Sequence, residues 1–594
     1  MTETVQKPVA DDAGAAEIFQ EWFADFVAAV EARDAAGLTR LFAPDATWRD
    51  FMAFPWDFHN AIDREGLVVG LLADADAWDA ADFAVNQEQP PIIIDGNVYA
   101  FFDFTTKERN NRGYVLLVPD GDGYTGSILQ TQVVSLQNAP ELIGHHRPQG
   151  KVYDIIPGRP RWSAERARKA AFEDTDPAVL ILGAGHNGLS VAARLGALDV
   201  PTLVIDREAR VGDTWRKRYA TLALHSTVWG DHLPYLPFPP TWTSHTPKDK
   251  FADWLESYAT LLELNVWTST EFIDGNYDEE HQRWNIRVQR ADGSIRELHP
   301  RHFVVAGGLF AGPRIPEIEG LDRFDGVWAH SDSFQDGDKY AGKKALVVGS
   351  GVSGHELAQD LYENGADVTI LQRSSTYVIS YEANHKFWNP LFNEDMPLTA
   401  EFADQVQYSV PNVRTDPVNR ELVKRAAEHD RPLLDRLEAV GFKLNYGPDG
   451  TGFLGAHMSG KDAYQINIGG SDLVADGEIH LKQGVEVSAV RGSTVIFTDG
   501  SEMHDVDLIL FATGYHQFWG HMKPALGVIA ERVDKAYGRA ADGEYANAWR
   551  RSAQPGLWFC TGFIRMARFY TQFTALMIKA IEMGVEPIDP ERES

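Results

Sequence analysis

The sequence predicts an α/β protein with two doubly wound units, preceded by a smaller α+β unit. Three observations carry this expectation. Residues 178–208, AVLILGAGHNGLSVAARLGALDVPTLVIDRE, read as an apolar strand, a Gly-rich turn, a helix and a second strand. Residues 343–375, KKALVVGSGVSGHELAQDLYENGADVTILQRSS, repeat that layout. Short, wholly apolar strands alternating with helices mark parallel sheets covered on both faces. Ahead of both, residues 14–136 run from helices into a series of alternating strands with no such turn.

Composition bounds the rest. A chain of 594 residues is too long for a single core. Lys plus Arg is 55 against 86 Asp plus Glu, a formal charge of −31. So acidic a surface repels phosphate backbones and anionic lipid, which argues against nucleic acid or a membrane as partner. The lone cysteine, Cys560, excludes an intrachain disulfide, a Cys-based zinc site and a redox-active Cys pair. No apolar run reaches the 18 residues of a membrane span. The polar, acidic start MTETVQKPVADDAG is unlike a signal peptide, so a cytoplasmic location is expected.

The elements follow in order. Phe19, Phe23, Phe26 and Val30 recur at helical spacing within 14–35, and a second short helix carries Leu38, Leu41 and Phe42. ATWRDF, PPIIIDGNVYAFFDFTT, GYVLLVP and SILQTQVVSL read as strands, punctuated by Asp95-Gly96 and Asp120-Gly121. Helices followed by a curved antiparallel sheet over about 12–140 resemble the cone-shaped nuclear-transport-factor and SnoaL-like folds. The expected boundaries are 1–145 for this α+β unit and 146–175 for a basic, Pro-bearing linker ending in a short helix. That linker is either a solvated tether or lies on a neighbouring unit. The first α/β unit takes 176–335 and resumes at 501–594. The second takes 336–500, with an irregular, aromatic insertion at 381–465 that includes the helical NRELVKRAAEHDRPLLDRLEAVG.

Gly183-Ala-Gly185-His-Asn187-Gly188 stands between strand and helix. In such a Rossmann-type turn the first glycine permits the tight bend and the second lets a pyrophosphate approach the backbone. The third allows helix and strand to pack closely, and the helix N-terminus receives the negative charge. Asp206 ends the next strand, where a carboxylate accepts from ribose hydroxyls, and Arg207 follows it. The second turn is Gly349-Ser350-Gly351-Val-Ser353-Gly354. The position equivalent to Asp206 is Gln372, followed by Arg373 and Ser374. A guanidinium and a hydroxyl there suit a 2′-phosphate. The first site therefore reads as FAD and the second as NADPH. Two dinucleotide sites also describe disulfide reductases, but those need a Cys pair, which leaves molecular oxygen as the acceptor.

Between the two turns lies Phe324-Asp-Gly326-Val-Trp-Ala-His330-Ser-Asp-Ser-Phe334. It matches the FxGxxxHxxx(Y/F) fingerprint of the flavin-containing monooxygenases and their Baeyer–Villiger relatives. GDTWRKRYATLALHS, LPYLPFPPTWTSHTPKDKFADWLESYA and VDLILFATGY resemble segments of the same family, the last two those of its plant auxin-forming members. The resemblance covers about 176–590. It implies FAD contacts at Thr214 and Trp215 and at Thr513 and Gly514, in addition to the first turn. It also gives His330 a part in coupling NADP binding to catalysis, with a satisfied structural histidine as the equal alternative. Where simple members carry an asparagine ahead of Pro237-Phe238-Pro239, this chain has His225. That replacement, with an N-terminal extension, resembles the type II subgroup, associated with Baeyer–Villiger oxidation and with use of NADH alongside NADPH. The membrane-anchoring tail of animal members is not expected.

The implied chemistry is hydride transfer from NADPH to FAD, followed by oxygen addition at flavin C4a. The resulting peroxide attacks a ketone to give an ester or lactone, or transfers oxygen to a sulfide or amine. His225 and His330 are the candidate catalytic residues, and no metal is expected. Arg565 and Arg568, in the helix of TGFIRMARFYTQFTALMIKAIEMG, are either additional positive charge near the flavin or surface cations. The insertion and the N-terminal unit are candidate pocket walls. The N-terminal unit reads more readily as a packing or dimerisation module, which makes a homodimer one expected assembly. Two alternatives stay open: an uncoupled NADPH oxidase or diaphorase, and a flavin-dependent ligand-sensing module.

Overall fold

The N-terminal helix spans Asp12–Glu31 in the computed structural model, which describes residues 12–73, 75–150, 153, 155–459 and 463–589. Its aromatic stripe is internally stacked, with Phe19 on Phe23 at 5.2 Å and Trp22 on Phe26 at 5.1 Å. The second helix, Ala35–Leu41, stops one residue earlier than expected because Phe42 opens the first strand. The sheet runs in the order Phe58–Ala61, Phe42–Phe51, Gly123–Leu136, Arg109–Asp120, Asn97–Thr106, Ala81–Val85. Asp95 and Gly96, both at positive φ, close the hairpin between Ile92–Ile94 and Asn97–Thr106. Both central residues of a tight two-residue hairpin need that conformation. The expected antiparallel sheet contains one exception: Phe42–Phe51 and Gly123–Leu136 pair in parallel. They are the first and last long strands, and the intervening chain is long enough for a parallel return.

Two five-stranded sheets follow, each wholly parallel. The first has the order Val266–Trp267, Thr202–Ile205, Val179–Leu182, His302–Val305, Leu557–Phe559. The second has Val327–His330, Leu508–Phe511, Lys344–Val348, Asp367–Gln372, His480–Gln483. Two strands fall outside the expected boundaries, because Val327–His330 and Leu508–Phe511 both belong to the second sheet. Leu508–Phe511 is buried along its whole length and needs a neighbour on each side, which the second sheet supplies. The chain thus enters the second unit before residue 336 and leaves it after residue 501.

The insertion is mostly helical: Tyr381–Trp388, Ala400–Gln407, Asn412–His429, Arg431–Ala439 and Gly452–Ser459. The helical stretch expected around NRELVKRAAEHDRPLLDRLEAVG is broken at Asp430, ahead of Pro432, which lacks the N–H that would continue the first helix. The linker's helix, Trp162–Ala171, lies on the first α/β unit: Trp267 Nε1 donates to the carbonyl of Ala170 at 2.8 Å, and Arg166 bonds to Asn265 and Leu264.

The N-terminal unit is packed firmly against the rest. Phe51, Met52, Phe58, Val133 and Leu136 share one continuous core with the first parallel sheet and the closing helix, Ile564–Glu582. Phe51 stacks on Phe573 at 5.0 Å and meets Phe569 edge-on at 5.2 Å. Truncating such a ring to Ala costs about 3–5 kcal/mol. Among the described residues no helix is long and apolar enough to cross a membrane.

Candidate active site

The two Gly-rich turns have the same design, visible by asking what a Cβ would meet at each glycine. Gly183 sits at φ +109, and a Cβ there would lie 2.7 Å from the carbonyl of Ala306. One on Gly188 would lie 1.9 Å from the carbonyl of Gly183. In the second turn, a Cβ on Gly349, at φ +119, would lie 2.4 Å from Ala512 O, and one on Gly354 would lie 2.0 Å from Gly349 O. The fold itself therefore demands the first and third glycines. The middle ones differ. A Cβ on Gly185 meets no protein atom within 4 Å, and one on Gly351 meets nothing nearer than 3.5 Å. Each middle glycine is also the N-cap of its helix, His186–Ala197 or Val352–Glu363, with no side chain capping the first amides. Open space over uncapped amides at a helix N-terminus fits a pyrophosphate.

Other groups of the first turn fit FAD as well. Asn187 donates to the carbonyl of Gly562 at 3.2 Å, while its buried Oδ1 has no partner. An orphaned acceptor beside the turn suits a ligand hydroxyl. Asp206 accepts from Ala184 N at 2.6 Å and Glu208 N at 2.8 Å. Burial raises its pKa while those amides pull it back. Its carboxylate is thereby fixed at the strand end. Arg207 is exposed and 3.7 Å from Glu208. Trp215 packs edge-on to Phe251 at 5.1 Å, beside the exposed Thr214.

At the second turn, Gln372 is fully buried and used up by Lys443, donating to its carbonyl at 2.9 Å and accepting from its N–H at 2.8 Å. Ser350 hydrogen-bonds Thr376 at 2.7 Å. Arg373 and Ser374 line a cavity of about 640 Å³ together with Ser350, Gly351 and Ser353. Arg373 extends into solvent, 3.7 Å from Glu486, which lines the same cavity. That cavity also reaches Val305 and Gly308 at the end of the first sheet, Thr513 and Gly514, and Thr561 beside Gly562. The insertion contributes Ala456, His457 and Tyr464 to its wall.

A second pocket of about 330 Å³ lies between Trp229, His232, Phe238 and Trp242 on one side and Phe392 and Leu398 of the insertion on the other. Burial lowers the pKa of His232 to about 4, so it is neutral near pH 7. The N-terminal unit lines neither space. Its own cavity, about 130 Å³, lies among Phe26, Phe54, Phe83 and Phe104.

The two candidate histidines differ in setting. His330 ends its strand with both ring nitrogens engaged: Nε2 meets the Gly514 carbonyl at 3.1 Å and Nδ1 accepts from Asp332 N at 3.2 Å. These contacts select the neutral Nε2–H tautomer, and burial lowers the pKa. The ring stands edge-on to Tyr515 at 5.0 Å. His330 thus pins the Thr513-Gly514 turn from behind the cavity wall. Thr513 donates its hydroxyl to Arg314 O, which fastens the other side of that turn.

His225 lies on the segment 219–225, whose main chain is tied to Gln335, Thr246 and Lys248. Its Nε2 meets Oε1 of Glu356 as an ion pair outside hydrogen-bond geometry, and Tyr219 donates to Oε2 of the same carboxylate. Burial opposes charge on the imidazole, but Glu356 and then Asp231 outweigh it, and the pKa is raised. The sequence reading missed Glu356. An acid two residues past a third glycine is visible, but its partner Tyr219 stands 137 residues away.

Arg568 corrects the sequence reading: it is neither a surface cation nor spare charge. It is buried and bidentate to Asp404 at 2.7 and 2.8 Å, with Nη1 on the carbonyls of Gly230 and His232. Arg565 donates to Asn389 at 2.9 Å and lies over the Phe392 ring at 4.3 Å, tying the closing helix to the insertion.

Comparison with known proteins gives three kinds of match. A model of the pyridine nucleotide-disulphide oxidoreductase family matches residues 180–433. Indole-3-pyruvate monooxygenase YUCCA1 of Oryza sativa subsp. japonica is 32% identical over 346 residues, covering 57% of this chain and 77% of that protein. Two solved structures share the fold. Cyclohexanone monooxygenase from Rhodococcus sp. Phi1 bound to NADP+ is 16% identical, with a TM-score of 0.50, over 68% of this chain and 85% of that one. OTEMO in complex with FAD and NADP is 15% identical, with a TM-score of 0.50, over 69% and 86%. Cys560, the one cysteine of the sequence, is buried, and burial pushes its pKa up to about 12; the sequence offers no Cys pair for the dithiol chemistry of a disulfide reductase.

Proposed function

The chain belongs to the flavin-containing monooxygenase family, and we propose that it is an FAD-containing, NADPH-dependent monooxygenase. It inserts one atom of molecular oxygen into a ketone, giving an ester or lactone, or places it on a sulfide or amine. The observation that carries this reading is the single cavity of about 640 Å³ that joins the second Gly-rich turn to the strand ends of the first sheet. A nucleotide at the second turn would reach through it to the strand ends of the first sheet, Val305 and Gly308. Bound FAD supplies hydride acceptance from the nicotinamide and activation of oxygen.

The chain's own part is binding, orientation and proton control. The open faces of Gly185 and Gly351 admit the two pyrophosphates. Asn187 Oδ1 accepts from a flavin-side hydroxyl, and Arg373 with Ser374 grips the 2′-phosphate. His330 holds the Thr513-Gly514 turn in register against the cavity. His225 takes the place that the family resemblance gives to the asparagine of simple members, and its buried partner Glu356 favours the protonated ring. The aromatic pocket between Trp229, Phe238 and Phe392 suits an apolar ketone.

Supplying the purified enzyme with NADPH, oxygen and a bicyclic ketone tests the reading. Lactone formed in step with NADPH consumption is the expected result. Hydrogen peroxide in the full amount of NADPH consumed, with no oxygenated product from ketone or sulfide, would favour the oxidase alternative and remove this one.

A further inference from the structure

Two units meet at Glu356. It lies on Val352–Glu363, the helix capped by Gly351 of the second turn, and is 5% exposed. Its two oxygens address two residues of one segment of the first unit: Oε2 takes the Tyr219 hydroxyl and Oε1 faces His225 Nε2. One carboxylate thus holds both ends of segment 219–225.

We propose that Glu356 is a positioning residue: from the nucleotide-binding helix it fixes the ring orientation and the charge of His225. The proposal rests on the monooxygenase reading only for the place given to His225 beside the flavin. With Nε2 turned to Glu356, Nδ1 is the nitrogen through which the ring addresses anything else. The histidine's working state is therefore set by the unit that binds the pyridine nucleotide.

The charges around the pair leave this role to Glu356. On its own side of the chain His225 faces Asp231, on the short helix Val228–Asp231, which is buried and accepts from Ser226 at 2.6 Å. Asp231 in turn faces Arg565 and Arg568 of the closing helix and Tyr381 of the insertion. The two guanidiniums favour the ionised form of Asp231. Arg218 lies over the Tyr219 ring at 5.9 Å. Glu356 outranks Asp231 among the groups that favour the charged ring.

Histidine ring NMR on the full-length, ¹³C-labelled flavoprotein tests this, with His225→Asn to assign the signal. In the parent, the His225 midpoint is expected above the ordinary 6.5. Glu356→Gln should lower its midpoint by about one unit or more, a tenfold loss of proton affinity. Glu356→Asp should restore part of the shift. An unmoved midpoint in a folded Glu356→Gln protein overturns the proposal. Should that variant not fold, Tyr219→Phe carries the test. Losing the hydroxyl donor leaves the carboxylate more basic, so the His225 midpoint must rise, and an unchanged midpoint overturns the proposal equally. The pH profile of hydrogen peroxide release during NADPH turnover should move with the NMR midpoint. If only the NMR midpoint moves, Glu356 acts on His225 as proposed, and the failure belongs to the placement of His225 in the monooxygenase reading.

Discussion

Arg49→Met tests whether the N-terminal unit is an integral part of the protein. The Arg49 guanidinium is 1% exposed and bidentate to Glu544, itself 0% exposed, at 3.0 and 2.6 Å. Its Nη1 donates to the carbonyls of Tyr408 at 2.9 Å and Val410 at 3.2 Å, and the group lies 4.6 Å from the Phe51 ring centre. One side chain from the N-terminal sheet thus contacts both the insertion and the segment leading to the closing helix. Methionine roughly fills its volume but leaves Glu544 buried with Asn60 at 2.9 Å and Asn412 at 3.4 Å as its remaining side-chain partners among the described residues. Breaking a buried pair from one side costs about 3–5 kcal/mol. For a unit of this size, that lowers its melting temperature by roughly 6–20 °C. Scanning calorimetry should show an early transition split from the main one, with faster tryptic cleavage between residues 145 and 161. Arg49→Met with Glu544→Leu should recover most of the loss, since no charge is left stranded. A single transition at the parent's temperature in Arg49→Met would refute the reasoning.

Three further outcomes are expected. Gly185→Ala adds a methyl that meets no protein atom within 4 Å, so the apoprotein should melt like the parent while flavin content collapses; full flavin content by absorbance would sink the site. Arg373→Ala should weaken NADPH binding by about 1.5–3 kcal/mol and hardly touch NADH, as titration of each cofactor would show; equal losses would make the residue structural. Burial raises the Asp50 pKa from the ordinary 3.8 to about 7, although Thr131 and the amides of Phe54 and Ala53 pull it down. Between those values the folded state keeps a proton that the unfolded chain has lost. The proton's contribution therefore falls as pH rises from about 4 to about 7. Asp50→Asn lacks that term, so its stability relative to the parent should improve across that window in urea melts, and a gap independent of pH would contradict it.

Both α/β units and their turns were legible because their signals are local. A glycine demanded by a carbonyl five residues away, as at Gly188 and Gly354, leaves its trace in adjacent sequence. The fingerprint around His330 was equally legible, but its job was not. Only the fold shows both ring nitrogens engaged by the main chain, behind the cavity wall. Strand membership failed at Leu508–Phe511 because a buried apolar strand fits either sheet by pattern alone, and at Val327–His330 because a half-exposed edge strand carries no pattern that assigns it to a sheet.

By itself the sequence determined the two nucleotide turns, the helices and strands that carry them, and the absence of a cysteine pair. These depend on backbone conformation, periodicity and composition, all set within a few residues. Tertiary structure alone decided which buried charges neutralise one another: Arg49 with Glu544, Arg568 with Asp404, and His225 with Glu356. A charge taken out of water must find its opposite at contact distance. The partner therefore comes from whichever element the fold brings near, and sequence separation does not constrain it.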